Sequence, residues 1–151
     1  MLFRSTSAGG GFADKRSNYR ENLFAGESWT GTGWTVTGAG DAFTATSTEA
    51  AGTMSRSMLL HTRFGWAMGA AHEILVWAKA GTATTLTMSM EQTGNPANWK
   101  TEKVHQVPGD NVARPYRLNL TLPRHTTISQ MAARIGGPNL TIEGEPLLAA
   151  I

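Results

Sequence analysis

Residues Asn22 to Thr48, NLFAGESWTGTGWTVTGAGDAFTATST, decide the fold class of this chain. Five glycines divide the stretch into short runs. Two of these runs, Trp34–Thr37 and Phe43–Thr46, alternate an apolar residue or alanine with threonine. Alternation with a period of two between turn-forming residues is typical of half-buried antiparallel strands. The stretch therefore predicts β-structure.

The same pattern continues almost to Ile151 and predicts about eight strands, spaced as in a sandwich. Leu86, Met88 and Met90 alternate with polar residues, whereas the unbroken apolar run 74–77 predicts a central strand covered on both faces. We predict an all-β, antiparallel, two-sheet jelly-roll-like β-sandwich with an extended N-terminal arm. The expected strands are 34–37, 42–47, 53–61, 73–80, 85–91, 99–107, 116–122, 130–135 and 140–143, with Gly31–Gly33 and Pro108–Asn111 as turns.

The alternation also predicts which side chains fill the space between the two sheets. They are the apolar residues that share one face of each expected strand. The predicted core comprises Trp34, Val36, Phe43, Met58, Leu60, Ile74, Val76, Leu86, Met88, Met90, Leu118, Leu120, Leu122, Met131, Ile135, Leu140 and Ile142. The apolar ending Pro146–Ile151 is expected to pair into the sheet or into an interface.

Length and composition agree with a single β-domain. A chain of 151 residues fits one domain. Charged residues make up 16% of it, below the usual ~25%, and much of the polarity comes from Thr, whose branched side chain favours extended backbone. We predict two parts: an arm over residues 1–21 and the sandwich over residues 22–151.

The arm concentrates the basic charge of the chain, since its first 20 residues hold four basic side chains against Asp14 alone. It is also more apolar than a solvated tail requires. One interpretation is a disordered terminus; the other is an arm that becomes ordered against a partner. The second predicts partner binding by Leu2, Phe3, Arg4, Phe12, Lys15, Arg16, Tyr19 and Arg20.

Several kinds of chemistry are not indicated by the sequence. The chain has no cysteine, no histidine pair at metal-ligand spacing, no nucleophile elbow and no phosphate-binding loop. Glu73, Glu91 and Glu102 are better explained as partners of Arg or Lys across a sheet than as a catalytic pair. We predict that the protein is not an enzyme and that it has no catalytic residue, no bound metal and no cofactor. The net charge of +2 is too small to indicate nucleic-acid binding, and no apolar run approaches the ~20 residues of a membrane span.

Five tryptophans are the most distinctive side chains. Trp34 and Trp77 are expected in the core. Trp29, Trp66 and Trp99 lie in loops or weak strands, and their flat faces could stack on sugar rings; packing or a protein interface is the competing interpretation. These three residues are the candidate glycan-binding residues.

Two segments resemble jelly-roll modules of bacteriophage virion proteins. Asn22-Leu-Phe, Ser28-Trp29 and Trp34-Thr-Val36-Thr are similar to the opening of such modules, and Ile74-Leu-Val-Trp77-Ala-Lys79-Ala-Gly81 resembles their central strand. The resemblance covers roughly Asn22 to Met90, and the C-terminal part agrees in pattern only. These modules are built like carbohydrate-binding modules and occur in head fibres, capsid decoration (cement) proteins and tail proteins.

The resemblance implies a phage structural protein, and the first hypothesis is one that decorates or cements the capsid. Its arm and its sandwich would bind the major capsid protein, and the chain would self-associate, with a trimer favoured and a dimer next. Its expected location is the capsid surface of the virion, after assembly in the host cytoplasm. The second hypothesis is a carbohydrate-binding module of a phage tail or fibre protein that recognises a host surface glycan. A tail adaptor, a fibre base and a glycan-cleaving enzyme are lesser alternatives.

Overall fold

The computed structural model describes residues 22–24, 28–48, 53–59, 71–92, 99–121 and 130–151, with the backbone alone for 53–59 and Gln130. Within these ranges the chain forms eleven strands and one 3₁₀ turn, Gly40–Ala42. None of the described residues belongs to a helix of the length and apolar character that a bilayer span requires. The strands are β1 (Thr30–Thr32), β2 (Trp34–Thr37), β3 (Thr44–Ser47), β4 (Thr53–Leu59), β5 (Ala71–Lys79), β6 (Thr84–Gln92), β7 (Lys100–Val107), β8 (Arg114–Thr121), β9 (Gln130–Gly136), β10 (Thr141–Glu143) and β11 (Leu147–Ala150).

The strands form two antiparallel sheets that pack face to face. The five-stranded sheet has the order β1-β4-β9-β6-β7. In the six-stranded sheet β5 pairs with β8 on one side and with both β10 and β11 on the other, and β10 continues the sheet to β3 and β2. The predicted all-β, two-sheet sandwich is confirmed. The predicted arm lies outside the described residues.

Two strands, β1 and β11, are additional to the strand ranges expected from the sequence. Gly31–Gly33 is not simply a turn, because Thr30–Thr32 forms β1 and pairs with Thr53–Ser55 of β4. Gly33 alone makes the tight connection to β2, with a φ of 79° that favours glycine. At the other end, Leu147–Ala150 pairs with β5 as β11, so the apolar ending enters the sheet.

A single large core fills the space between the sheets. In β6, Leu86, Met88 and Met90 are fully buried and alternate with more polar positions, as their spacing predicts. Val36 is partly buried against this core. Leu60 and Leu122 lie outside the described residues, as does the side chain of Met58. The other predicted core residues are buried: Trp34, Phe43, Ile74, Val76, Leu86, Met88, Met90, Leu118, Leu120, Met131, Ile135, Leu140 and Ile142. Each large apolar side chain buried in this way contributes about 1.5–3 kcal/mol relative to exposure.

The first described residues are fastened to β11 by a set of hydrogen bonds, which we call the Asn22 clasp. The Asn22 side chain donates to the Pro146 carbonyl (3.0 Å) and accepts from the backbone N–H of Leu148 (3.0 Å). The N–H of Leu23 donates to the Leu148 carbonyl (2.7 Å). Leu23 and Phe24 are consequently buried in the main core, although neither was predicted there.

The turn between β2 and β3 is held against the link between β10 and β11. The N–H of Gly40 donates to a carboxylate oxygen of Glu145 (3.0 Å), and the N–H of Glu145 donates back to the Gly40 carbonyl (2.9 Å). Gly38 has a φ of +74°, and a Cβ there would overlap the Ala42 carbonyl. The glycines of this stretch therefore permit a close backbone approach as well as a turn.

Candidate functional site

A cleft of about 310 Å³ opens where the edges of the two sheets meet, between β7 and β8. It lies where β7 begins and β8 ends. Further along the same seam, a ring nitrogen of His105 on β7 contacts the Arg117 carbonyl of β8 (2.9 Å), and the His105 ring lies 5.2 Å from that of Tyr116. The side chains that line the cleft are Ala71, Trp99, Lys100, Thr101, Asn119, Leu120, Thr121 and Ile151.

Trp99 provides the aromatic wall of this cleft. It immediately precedes β7, and its carbonyl accepts a hydrogen bond from the backbone N–H of Gln92 (2.9 Å), which ties it to the end of β6. Its side chain is partly buried and packs against the main core. A ring that is anchored on one side and borders a cleft on the other can stack on a ligand with little loss of conformational entropy.

Hydrogen-bonding side chains surround the tryptophan. Asn119 and Thr121 are exposed, Thr101 is half-buried, and all three line the cleft. Lys100 is exposed at the rim, where its ammonium lies 3.4 Å from a carboxylate oxygen of Glu102. An aromatic ring with an amide, two hydroxyls and one partly neutralised cation around it matches a ligand with apolar faces and many hydroxyl groups.

The remaining tryptophans differ in position. Trp29 is only 4% exposed, and its ring meets that of Phe24 edge to face at 5.1 Å in the main core. The interpretation of Trp29 as a stacking residue is therefore corrected, because an enclosed ring has no free face for a sugar. Trp34 lies in the core as predicted. The prediction for Trp77 is wrong, because its outward position on β5 leaves it half-buried beside Leu75 and outside the main core. Trp66 lies outside the described residues.

Trp29 nevertheless borders a second cavity, of about 280 Å³, beside the β2–β3 turn. Glu145 and Phe43 also line it. Because the Glu145 carboxylate is already bonded to Gly40, and Phe43 is 4% exposed, this cavity offers fewer free polar groups than the Trp99 cleft.

The carboxylates considered for catalysis do not converge. Glu73, on β5, lies 3.5 Å from the Arg117 guanidinium of β8, and Glu91, on β6, is paired with Arg134 of β9. These two pairs join neighbouring strands, as expected. The expectation is wrong for Glu102, because its ion-pair partner Lys100 lies on the same strand, β7. Among the described residues, no three His, Asp or Glu side chains are grouped as metal ligands.

Two of the four histidines lie within the described residues. His72 is buried in β5 and His105 lies at the seam, whereas His61 and His125 are outside the described residues. The predicted partner-binding residues Leu2, Phe3, Arg4, Phe12, Lys15, Arg16, Tyr19 and Arg20 are also outside them. The position of Trp99 in a loop or weak strand thus predicted one residue of the site. No feature of the sequence distinguished Asn119 or Thr121.

No protein-family model and no curated protein matches this chain. It is similar to a family 4 carbohydrate-binding module, with 12% identity and a TM-score of 0.58 over 86% of this chain and 92% of the other. It is also similar to the CBM22-1 xylan-binding domain of Paenibacillus barcinonensis Xyn10C, with 15% identity and a TM-score of 0.57 over 87% and 92%.

A third similar structure comes from a virus. The enzymatically active domain of tailspike protein 4 of bacteriophage CBA120 matches with 14% identity and a TM-score of 0.53. The match covers 82% of this chain but only 19% of the tailspike chain. At these identities the comparisons establish the fold alone: a β-sandwich of the kind found in carbohydrate-binding modules, which part of a phage tailspike also resembles.

Proposed function

We propose that this chain is a glycan-binding module that acts without catalysis and serves a bacteriophage tail or fibre protein. The observation that carries the proposal is the Trp99 cleft, in which one half-buried aromatic ring is surrounded by amide and hydroxyl groups. The carbohydrate-binding modules among the similar structures support a glycan as ligand, and the tailspike supports the phage setting.

Binding would follow from the two kinds of surface in the cleft. The face of Trp99 would pack against the C–H face of a sugar ring, while Asn119, Thr101 and Thr121 would exchange hydrogen bonds with its hydroxyls. An open cleft with few contacts predicts weak binding by one copy. Repeated copies on a virion would raise the effective affinity for a polysaccharide, which presents the same unit many times.

This proposal adopts the second hypothesis from the sequence in place of the first. Capsid decoration rested on the resemblance to phage virion modules and on an arm, residues 1–21, that lies outside the described residues. None of the similar structures given above is a capsid protein. A trimer or dimer, and a location on the virion surface, remain predictions.

The test is a binding assay with polysaccharides on the whole chain. Xylan, β-1,4-galactan and purified bacterial surface polysaccharides are run in affinity gels, and any ligand found is titrated by calorimetry. We expect at least one to bind, Trp99→Ala to weaken that binding tenfold or more, and Asn119→Ala to weaken it less. Val112→Ala is the matched control, because Val112 is 49% exposed in the loop between β7 and β8 and does not line the cleft.

Two results would contradict the proposal. One is that no polysaccharide binds although circular dichroism shows a folded β-protein; the other is that Trp99→Ala binds as tightly as the parent. Release of new reducing ends from the bound polysaccharide would contradict the non-catalytic part alone.

A further inference from the structure

Two contacts define how β7 and β8 run past each other along the seam between the sheets. A ring nitrogen of His105 lies 2.9 Å from the Arg117 carbonyl. Thr101 and Thr121, which come four positions before His105 and four positions after Arg117, both line the Trp99 cleft. The two strands are therefore antiparallel across the seam, and the Trp99 cleft lies at one end of it.

Lys103 is the residue of β7 that lies midway between these two contacts. It is two positions from Thr101 and two from His105, and residues two apart on a strand point to the same face. Lys103 is therefore directed to the seam, about 7 Å along the strand from Thr101. By the same count on β8 it lies opposite Asn119, which lines the cleft. Lys103 thus stands beside the cleft, although it is not one of the residues that line it.

Lys103 differs from the neighbouring cations in having no acidic partner. The Lys100 ammonium lies 3.4 Å from a carboxylate oxygen of Glu102, and the Arg117 guanidinium lies 3.5 Å from Glu73. Lys103 is exposed, and within the part of the chain that the structure describes it forms no ion pair. The seam consequently carries one positive charge that no described carboxylate compensates.

The walls of the Trp99 cleft do not offset this charge. None of the described side chains that line it is acidic. A lysine ammonium sits at the end of a flexible four-carbon stem, so the amine of Lys103 can reach a charge that lies several ångströms away. An anionic ligand in the cleft would therefore meet an unpaired cation and no carboxylate side chain of the lining that repels it.

We propose that the glycan bound in the Trp99 cleft is acidic, and that Lys103 pairs with a carboxylate of this glycan. The inference rests on the proposed glycan-binding function and adds the class of glycan, namely a polysaccharide whose repeating unit contains a uronic acid or another carboxylated sugar. Trp99 and Lys103 are four residues apart, about 13 Å along an extended chain. Because this distance exceeds one sugar ring, the carboxylate belongs to a different unit from the ring that stacks on Trp99.

Matched acidic and neutral polysaccharides test the proposal with the full chain. Polygalacturonate, alginate, hyaluronan and acidic bacterial surface polysaccharides are each compared with the same polymer after reduction of its carboxyl groups to primary alcohols. The reduction removes the charge and keeps the sugar chain. Calorimetry at low salt should show the tightest binding for an acidic polymer and about fivefold weaker binding for its reduced form. The difference should shrink at high salt, because the charges are exposed and screened.

Variants of Lys103 separate its charge from the net charge of the protein. Lys103→Gln should weaken binding of the acidic polymer about fivefold and leave binding of the reduced polymer unchanged, whereas Lys103→Arg should keep both affinities. Lys79→Gln is the matched control, since it removes the same charge from a lysine of β5 that pairs with Glu143 away from the seam. It should change neither affinity.

Two results would overturn the proposal and leave the proposed function intact. One is that the reduced polymer binds as tightly as the acidic one or more tightly; the other is an unchanged affinity for the acidic polymer in Lys103→Gln. Either result would mean that Lys103 only protects an exposed strand edge, since β7 ends the five-stranded sheet. Weaker binding in Trp99→Ala would still support a glycan-binding module. If no polymer of either kind binds, both proposals fail.

Discussion

The two outer faces of the sandwich differ sharply, although each includes a strand of nine residues, β5 in one sheet and β6 in the other. On β6 the outward positions include Thr85, Thr87 and Glu91, which are partly exposed, and Glu91 is paired with Arg134. On β5 the outward positions include Leu75 and Trp77, which cluster with Leu147 and Ala149 of β11. The outer face of β6 therefore carries mainly polar side chains, whereas that of β5 carries a second apolar cluster.

The largest difference between the faces should appear when each receives the same charge. Leu147→Lys places an ammonium in a buried apolar patch and should lower the free energy of unfolding by about 3 kcal/mol or more. Thr87→Lys adds the same group to the half-exposed polar face and should change it by less than about 0.5 kcal/mol. Urea unfolding of the two variants measures both values, and equal losses would remove the distinction between the faces.

A smaller effect is expected from the ion pair on the polar face. Both partners are partly exposed, with Arg134 and Glu91 side chains at 39% and 31%. Glu91→Gln should therefore lower the free energy of unfolding by about 0.2–1 kcal/mol, and the loss should shrink in high salt because the charges are screened. Unfolding at low and high salt measures this, and a larger, salt-independent loss would mean that the pair is a buried structural contact.

The smallest expected effect is a change in the pKa of Asp110, in the loop that joins β7 to β8 and so connects the two sheets. Arg114 donates to both carboxylate oxygens of Asp110 (2.9 and 2.6 Å) and lowers the pKa of Asp110 from 3.8 to about 2. A lowered pKa means that the pair stabilises the loop above about pH 4 and that this contribution is lost as the pH falls through 2. Titration followed by NMR should show the pKa of Asp110 rising towards 3.8 in Arg114→Gln; an unchanged value would exclude the pair as the cause.

The sequence predicted most of what depends on alternation and little of what depends on contacts between distant segments. Leu86, Met88 and Met90 were assigned correctly because a half-buried strand shows its buried face in a period of two. The run through Ile74 and Leu75 is buried on both faces of its strand, as its unbroken apolar sequence predicts.

The positions that the sequence did not predict all depend on contacts between segments far apart in the chain. Leu23 and Phe24 are buried because Asn22 bonds to residues more than 120 positions away, which no local pattern reports. Trp29 sits beside glycines like a loop residue, yet its ring is enclosed by Phe24 and the core. In the candidate site, Trp99 was recognisable as an aromatic in a weak strand, but Asn119 and Thr121 reach the cleft only because β8 pairs with β5 and faces β7 across the seam.

The Asn22 clasp has a topological consequence. It brings residue 22 against residues 146–148, so the two ends of the described fold lie side by side. The same adjacency lets the domain be inserted into a loop of a host protein as a side lobe, with both connections leaving from a single point.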